Sequence, residues 1–272
     1  PIMTHQRIDF ALLAIEQIVN QAANWHYMFG GQMRVPMVIR MIIGRGWGQG
    51  PQHSQSLQAW FAHVPGLKVV MPATPHDAKG LLIASIEDNN PVIFIEHRWL
   101  YNIKGNVPEG VYRVPLGKAR VVRGGSDVTV AATSYAALES LQAAEMLAED
   151  GISTEVIDIR TLKPLDEDTI LGSVRKTGRL IVADTGWKTC GFGAEVLACV
   201  TEKALGALKI PPERITLPDS PTPTTPALAN QYYPRVIDIV KSVRKMMGLK
   251  TKKISVLEKP SVPLDIPDRS LL

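Results

Sequence analysis

The stretch GRGWGQGPQHSQS, residues 44–56, alternates Gly44, Gly46, Gly48 and Gly50, then sets His53 among Gln52, Ser54, Gln55 and Ser56. Two chemistries could use such a stretch. Glycine-rich backbone can cradle a phosphate, or it can carry a histidine, whose ordinary pKa near neutrality suits proton transfer. A dinucleotide fingerprint needs G-x-G-x-x-G opening a helix, and a P-loop needs G-K-[ST]. The alternating glycines give neither, and GFGAEV at 191–196 has Val196 where a third glycine would stand. A nucleotide cradle built by this chain alone is therefore not expected. For His53 the residues leave two readings open: a proton shuttle, or a cap for the helix that follows.

A second candidate is SIEDNNP, residues 85–91. Asp88, Asn89 and Asn90 read first as the polar end of a helix before Pro91. The same oxygens could hold a hard monovalent cation. His26, His63 and His76 read as structural. There is no G-x-S-x-G elbow, no H-E-x-x-H and no D-x-D-x-D-G loop, so hydrolase and calcium-loop readings have no support. Cys190 and Cys199 are too few for a disulfide framework and lack metal-ligand spacing. They are expected to be free thiols in a reducing compartment.

The 272 residues carry 30 Lys+Arg against 26 Asp+Glu, a net charge of only +4. Part of that excess sits in KSVRKMMGLKTKK, residues 241–253, which reads as a solvated helix end and not as a nucleic-acid surface. No apolar run is long enough to cross a bilayer.

The elements that must position these residues follow an α/β grammar. A helix is expected over 10–25, with Leu13, Ile15, Ile18, Val19 and Ala22 as its buried stripe. The β-branched run VPMVIRMIIG (35–44) reads as a buried parallel strand feeding the glycine loop. Helix, strand, helix and strand follow, ending in PVIFIEH at 91–97. Residues 105–125 read as a link of turns and short polar strands. A second unit over 126–247 alternates strands and helices again, one helix running from a Ser134 cap to Gly151. The segment Asp219 to Pro234 reads as a long loop, and 248–272 as an extended tail. The expected fold is α/β, with two doubly wound sheet domains at 1–104 and 126–247.

EQIVNQAANWHYMFGGQ, the run from QHSQSLQAWFAHVPG to PVIFIEH, RTLKPLDEDTI and VADTGWKTCGFGAEV together closely resemble the β subunit of thiamine-diphosphate-dependent 2-oxo acid dehydrogenases. These are the E1 components of the pyruvate and branched-chain complexes, relatives of transketolase. The resemblance implies a pyrimidine-binding domain short of its amino-terminal part, followed by a transketolase carboxyl-terminal domain. It makes His53 the catalytic histidine, Phe10 the aromatic stacked on the aminopyrimidine of the cofactor, and Gln6 a pyrimidine contact. Met37, Ser85, Ile86, Asp88 and Asn90 fall on a potassium site made largely of main-chain oxygens, against the ordinary-turn reading. Thiamine diphosphate would be shared with an E1 α subunit that holds its diphosphate and Mg2+. Partners would be that α subunit, a second β chain and a lipoyl acyltransferase E2, in the cytoplasm or the mitochondrial matrix. The family's activating glutamate lies ahead of residues like PIMTHQRIDF, and Glu16 does not replace it. The expected activity is oxidative decarboxylation of a 2-oxo acid with acyl transfer to lipoyl-lysine. An acetoin dehydrogenase β subunit, a 1-deoxyxylulose-5-phosphate synthase-like enzyme and a non-catalytic scaffold stand as alternatives.

Overall fold

A computed structural model describes residues 1–249. Two five-stranded sheets organise the described residues. The first runs β1 (Ile2–His5), β2 (Val38–Ile43), β4 (Val92–His97), β3 (Lys68–Val70), all parallel. Every residue of β4 is buried, as expected of a continuous apolar run at the centre of a sheet covered on both faces. Because the strands are parallel, β1, β2 and β4 end on one edge of the sheet. His5 pairs with Met41, and Ile43 with His97. The chain segments holding Phe10, His53 and Arg98 therefore all leave from the same side.

The helical run after β1 departs from the sequence expectation. It opens with 3-10 turns (Ile8–Ala14), passes through π turns (Gln17–Ala22) and becomes α-helical only in α1 (Ala23–Met28). Three residues per turn and then more than four do not keep a 3.6-residue stripe on one face. Ile8, Ala11, Ile18 and Ala23 are buried, whereas Leu13 is 89% exposed. Helix α2 (Gln58–His63) follows the glycine loop, and α3 (Pro75–Ile86) lies between β3 and β4. Helix α3 starts where its sequence says it should: Thr74 Oγ1 accepts from Asp77 N at 3.1 Å, and Pro75 occupies the first turn.

The second sheet runs β10 (Glu213–Leu217), β9 (Leu180–Trp187), β6 (Val128–Ala132), β7 (Thr154–Asp158), β5 (Arg120–Arg123). Its first four strands are parallel, and β5 closes the edge antiparallel. The end of the expected link is thus an edge strand, while Val114 packs beneath α3 with its N–H on Gly80 O at 3.1 Å. Helices α4 (Tyr135–Glu149), α5 (Glu167–Thr177), α6 (Phe192–Ala204), α7 (Pro226–Tyr232) and α8 (Val236–Met246) complete this half. Val236, Ile239, Val240, Val243 and Met246 form the buried stripe of α8. Leu249 N reaches Arg244 O at 2.9 Å past Gly248, at φ +72°, and ends that helix. The remainder of the expected tail, 250–272, lies outside the described residues.

Three further expectations are corrected. Ser134 does not cap α4: its backbone lies at φ +48°, and its hydroxyl donates to Pro72 O at 3.3 Å. The long loop 219–234 contains α7 and buries Tyr232 and Tyr233. Finally, Thr161–Lys163 forms β8, which leaves the second half of the chain and pairs antiparallel with β3. Each sheet is therefore mixed. One core cluster runs through both halves, with Met71, Ile93 and Ile95 sharing it with Ile157, Val182 and Phe192.

Candidate active site

His53 sits at the carboxyl edge of the first sheet, half-buried, with Nδ1 at 2.8 Å from Asp9 Oδ2. The carboxylate oxygen accepts, so Nδ1 carries the hydrogen and Nε2 is left for proton exchange. Phe10, next in sequence to Asp9, places its ring centroid 5.1 Å from the imidazole at 31°, and keeps 39% of its surface exposed. An exposed aromatic beside an oriented imidazole is what a flat ring needs for stacking and proton transfer side by side. Asp9 Oδ1 is buried and accepts no hydrogen bond among the described residues. Sequence reading missed Asp9. The available signal was an acid directly flanking the stacking aromatic, but its partner is 44 positions away.

The loop that carries His53 is fixed from both halves of the chain. Arg7 Nη1 donates to Gly44 O at 2.6 Å, and Trp99 Nε1 to Arg45 O at 2.9 Å. From the second half, Tyr233 Oη accepts from Arg45 N at 3.0 Å, and Thr224 O accepts from Arg45 Nη2 at 2.7 Å. Gln58, at the loop's exit, donates to Asp184 Oδ1 at 3.1 Å. Burial pushes the Asp184 carboxyl above its ordinary range, against hydrogen bonds from Thr133 and Gln58. Gly44, at φ +79°, lies against the buried His97 ring. Burial, and secondarily the Arg7 charge, hold His97 neutral, with its pKa lowered to about 3. Alongside the loop, Pro51, Gln52 and Gln55 face Trp187, Thr189 and Asp219 across an open cleft of about 650 Å³.

Gln6 is exposed and its side chain makes no hydrogen bond to another described residue. Glu16 is exposed and bonded to Gln21 Nε2 at 2.9 Å. The exposed Phe10 ring and the Asp9-held His53 together offer one face for a flat aromatic ligand and one imidazole nitrogen for proton exchange. At the turn after α3, Asp88 Oδ1 accepts from Asn90 N at 2.8 Å and Nδ2 at 3.0 Å, and Oδ2 pairs with Lys68. Burial opposes ionisation there, but the Lys68 and Asn90 bonds hold Asp88 below the usual carboxylate range. Met37 O already accepts from Val92 N, and Ser85 O from Glu87 N. Both oxygens of the Asp88 side chain are therefore engaged at the turn. Among the described residues, no group of three His, Cys, Asp or Glu side chains could hold a metal ion. Cys190 is exposed and Cys199 buried, both free, and no helix there is long and apolar enough to cross a membrane.

Residues 1–104 match the transketolase pyrimidine-binding domain, and residues 117–239 the transketolase carboxyl-terminal domain. A solved split-gene transketolase, described as an inactive β4 tetramer, superposes with a TM-score of 0.71 at 25% identity, covering 92% of this chain and 77% of that one. The fold is that of a transketolase-like thiamine-enzyme subunit. The acetoin:2,6-dichlorophenolindophenol oxidoreductase β subunit of Cupriavidus necator is 47% identical over 91% of this chain and 73% of its own length. The pyruvate dehydrogenase E1 β subunit of Rickettsia bellii is 42% identical over 92% and 77%, and the mitochondrial one of Bos taurus 39% over 92% and 71%. The chain belongs to the E1 β-subunit family of 2-oxo acid and acetoin dehydrogenases.

Proposed function

We propose that this chain is the β half of a thiamine-diphosphate-dependent E1 acting on a 2-oxo acid, with decarboxylation followed by acyl transfer to lipoyl-lysine on an E2 acyltransferase. The observation that carries the reading is the Asp9-held His53 beside the exposed ring of Phe10. Thiamine diphosphate, when bound, supplies the nucleophilic carbon and the electron sink for loss of CO2. Phe10 stacks on the pyrimidine end, Gln6 lies four residues before it, and His53 exchanges a proton through Nε2 while Asp9 fixes the ring. An E1 α subunit supplies the diphosphate and Mg2+ contacts, and residues 126–247 carry the contact with a second β chain. Main-chain oxygens of Met37, Ser85, Ile86, Asp88 and Asn90 hold potassium in this reading.

The 47% identity to the acetoin enzyme's subunit supports a second reading, cleavage of acetoin at the same site. Co-purification with a matching α subunit, then assays with pyruvate, branched 2-oxo acids and acetoin using lipoamide as acceptor, separates the two. Turnover of a 2-oxo acid that is lost in His53→Ala supports the first; turnover of acetoin alone replaces it with the second. A stable complex without turnover of either returns the chain to a scaffold.

A further inference from the structure

The loop that presents His53 has two guanidinium groups at its root, those of Arg7 and Arg98. Arg7, only 4% exposed, spends Nη1 on Gly44 O. Arg98, on the turn after β4, lies over the rings of Trp47 at 4.1 Å and Tyr101 at 4.9 Å. Both reach the same point beside Gly46. A Cβ placed there would stand 2.8 Å from Arg98 Cγ, 3.3 Å from Arg98 Nε and 3.1 Å from Arg7 Nη2. Gly46 is thus the residue whose missing side chain lets the two arginines meet.

Like charges this close repel unless an anion joins them. Of the nearby carboxylates, Glu96 takes Arg40 at 2.7 Å and the Tyr101 hydroxyl at 2.6 Å, and Asp9 gives Oδ2 to His53. Asp9 Oδ1 has no hydrogen-bond partner among the described residues, and its charge offsets only part of the repulsion at Arg7. A third arginine, Arg45, turns away to Thr224 O. Neither Arg7 nor Arg98 is in an ion pair among the described residues. Burial, then the Arg98 charge, depresses the Arg7 pKa, and Tyr101, Asp9 and Tyr233 oppose the shift without cancelling it. Trp47 adds a second sign of construction. It adopts φ +54°, a region costly for a bulky side chain, stays 58% exposed, and holds the Arg98 guanidinium over its ring by cation–π contact. A guanidinium fork can meet two oxygens at once.

We propose that Arg7 and Arg98 form an oxyanion site at the root of the His53 loop, taking a carboxylate or phosphate at the end of the substrate remote from the bond that breaks. The substrate part rests on the E1 reading. Acetoin is uncharged, and pyruvate has no anionic group beyond the carboxylate it loses. The site therefore assigns this enzyme a 2-oxo acid with a second, distal anionic group.

The test has two arms on the full chain. In the first, inorganic phosphate and succinate are titrated separately and followed by calorimetry and by the fluorescence that Trp47→Phe removes. Saturable binding is expected, weakened about 10-fold or more in Arg98→Gln and Arg7→Gln. It should be unchanged in Arg113→Gln, whose exposed guanidinium pairs with Glu87. Arg98→Gln keeps the test valid should loss of the Gly44 contact unfold Arg7→Gln. No saturation, equal weakening in Arg113→Gln, or displacement of the anion by thiamine diphosphate in the complex with the α subunit overturns the site. In the second arm, kcat/KM is compared for 2-oxo acids of equal length ending in carboxylate or methyl. Preference for the carboxylate, lost in Arg98→Gln, supports the assignment. Anion binding with no turnover of any 2-oxo acid sinks the E1 reading and leaves the site. Turnover without anion binding sinks the site alone.

Discussion

Asp9 Oδ2 and His53 Nδ1 stand 2.8 Å apart, although 44 residues separate them in sequence. The contact joins the turn after β1 to the loop after β2, so it reports the register of two neighbouring strands as well as the aim of the imidazole. Asp9→Ala should lower turnover in the complex with the α subunit by on the order of 10²-fold, because an unheld ring spends little time aligned. Nitrogen NMR of His53 separates this from a structural defect. Wild type should show the Nδ1–H tautomer, and the variant a mixture, with a similar melting temperature.

Phe10 and His53 touch, yet their losses should differ in kind. Phe10→Ala should weaken cofactor affinity, costing about 1 kcal/mol beyond the lost buried area. His53→Ala should leave affinity nearly unchanged and lower turnover about 10²- to 10⁴-fold. Calorimetric titration of thiamine diphosphate beside steady-state assays checks both.

Gly44→Ala should destabilise the fold by about 2–4 kcal/mol, combining a left-handed backbone with overpacking. The added methyl would lie 2.5 Å from Nε2 of His97, whose ring is packed against Trp99 and Tyr135 and cannot swing aside. Urea unfolding measures the loss.

Asp158 is fully buried at the end of β7. Burial, with the Asp77 charge, lifts its pKa to about 8, and Arg160 opposes the shift. The folded protein therefore keeps a proton there that the unfolded chain releases near pH 4. The resulting stability is complete below that pH and is lost as pH rises to about 8. Asp158→Asn should remove this slope, so that its melting temperature falls less than wild type between pH 5 and pH 8.5. An unchanged slope would show that another group carries the dependence.

Replacing potassium by sodium should lower the melting temperature by a few degrees if the turn after α3 binds the larger ion through its main chain. Asp88→Asn should keep that difference, since the side chain is already engaged by Lys68 and Asn90.

Local pattern carried much of this fold. The β-branched runs at Val38–Ile43 and Val92–His97 fall where a period-free apolar run implies a covered parallel strand, and Thr74-Pro75 announces α3. Misses occurred where local pattern yields to distant contacts. Leu13 fits a 3.6-residue stripe, but the 3-10 and π turns around it set a different repeat. Strand β8 is three residues long and defined only by a partner near residue 69. Helix α7 hid behind four prolines, and its burial comes from Tyr232 and Tyr233 packing with Trp99. In the site, His53 and Phe10 stood out by residue type and resemblance. Asp9, Arg7 and Arg98 did not, because their meaning arises only where three strand ends converge.

The crossing of Thr161–Lys163 into the first sheet bears on how this chain can be divided. The two family matches stop and restart between residues 104 and 117, which invites a cut there. Such a cut would strip β3 of its outer neighbour and leave a bare row of amides and carbonyls. It would also release the Tyr233 and Thr224 anchors from the loop bearing the imidazole. The halves are stitched, not hinged, so the histidine's aim is a property of the whole polypeptide.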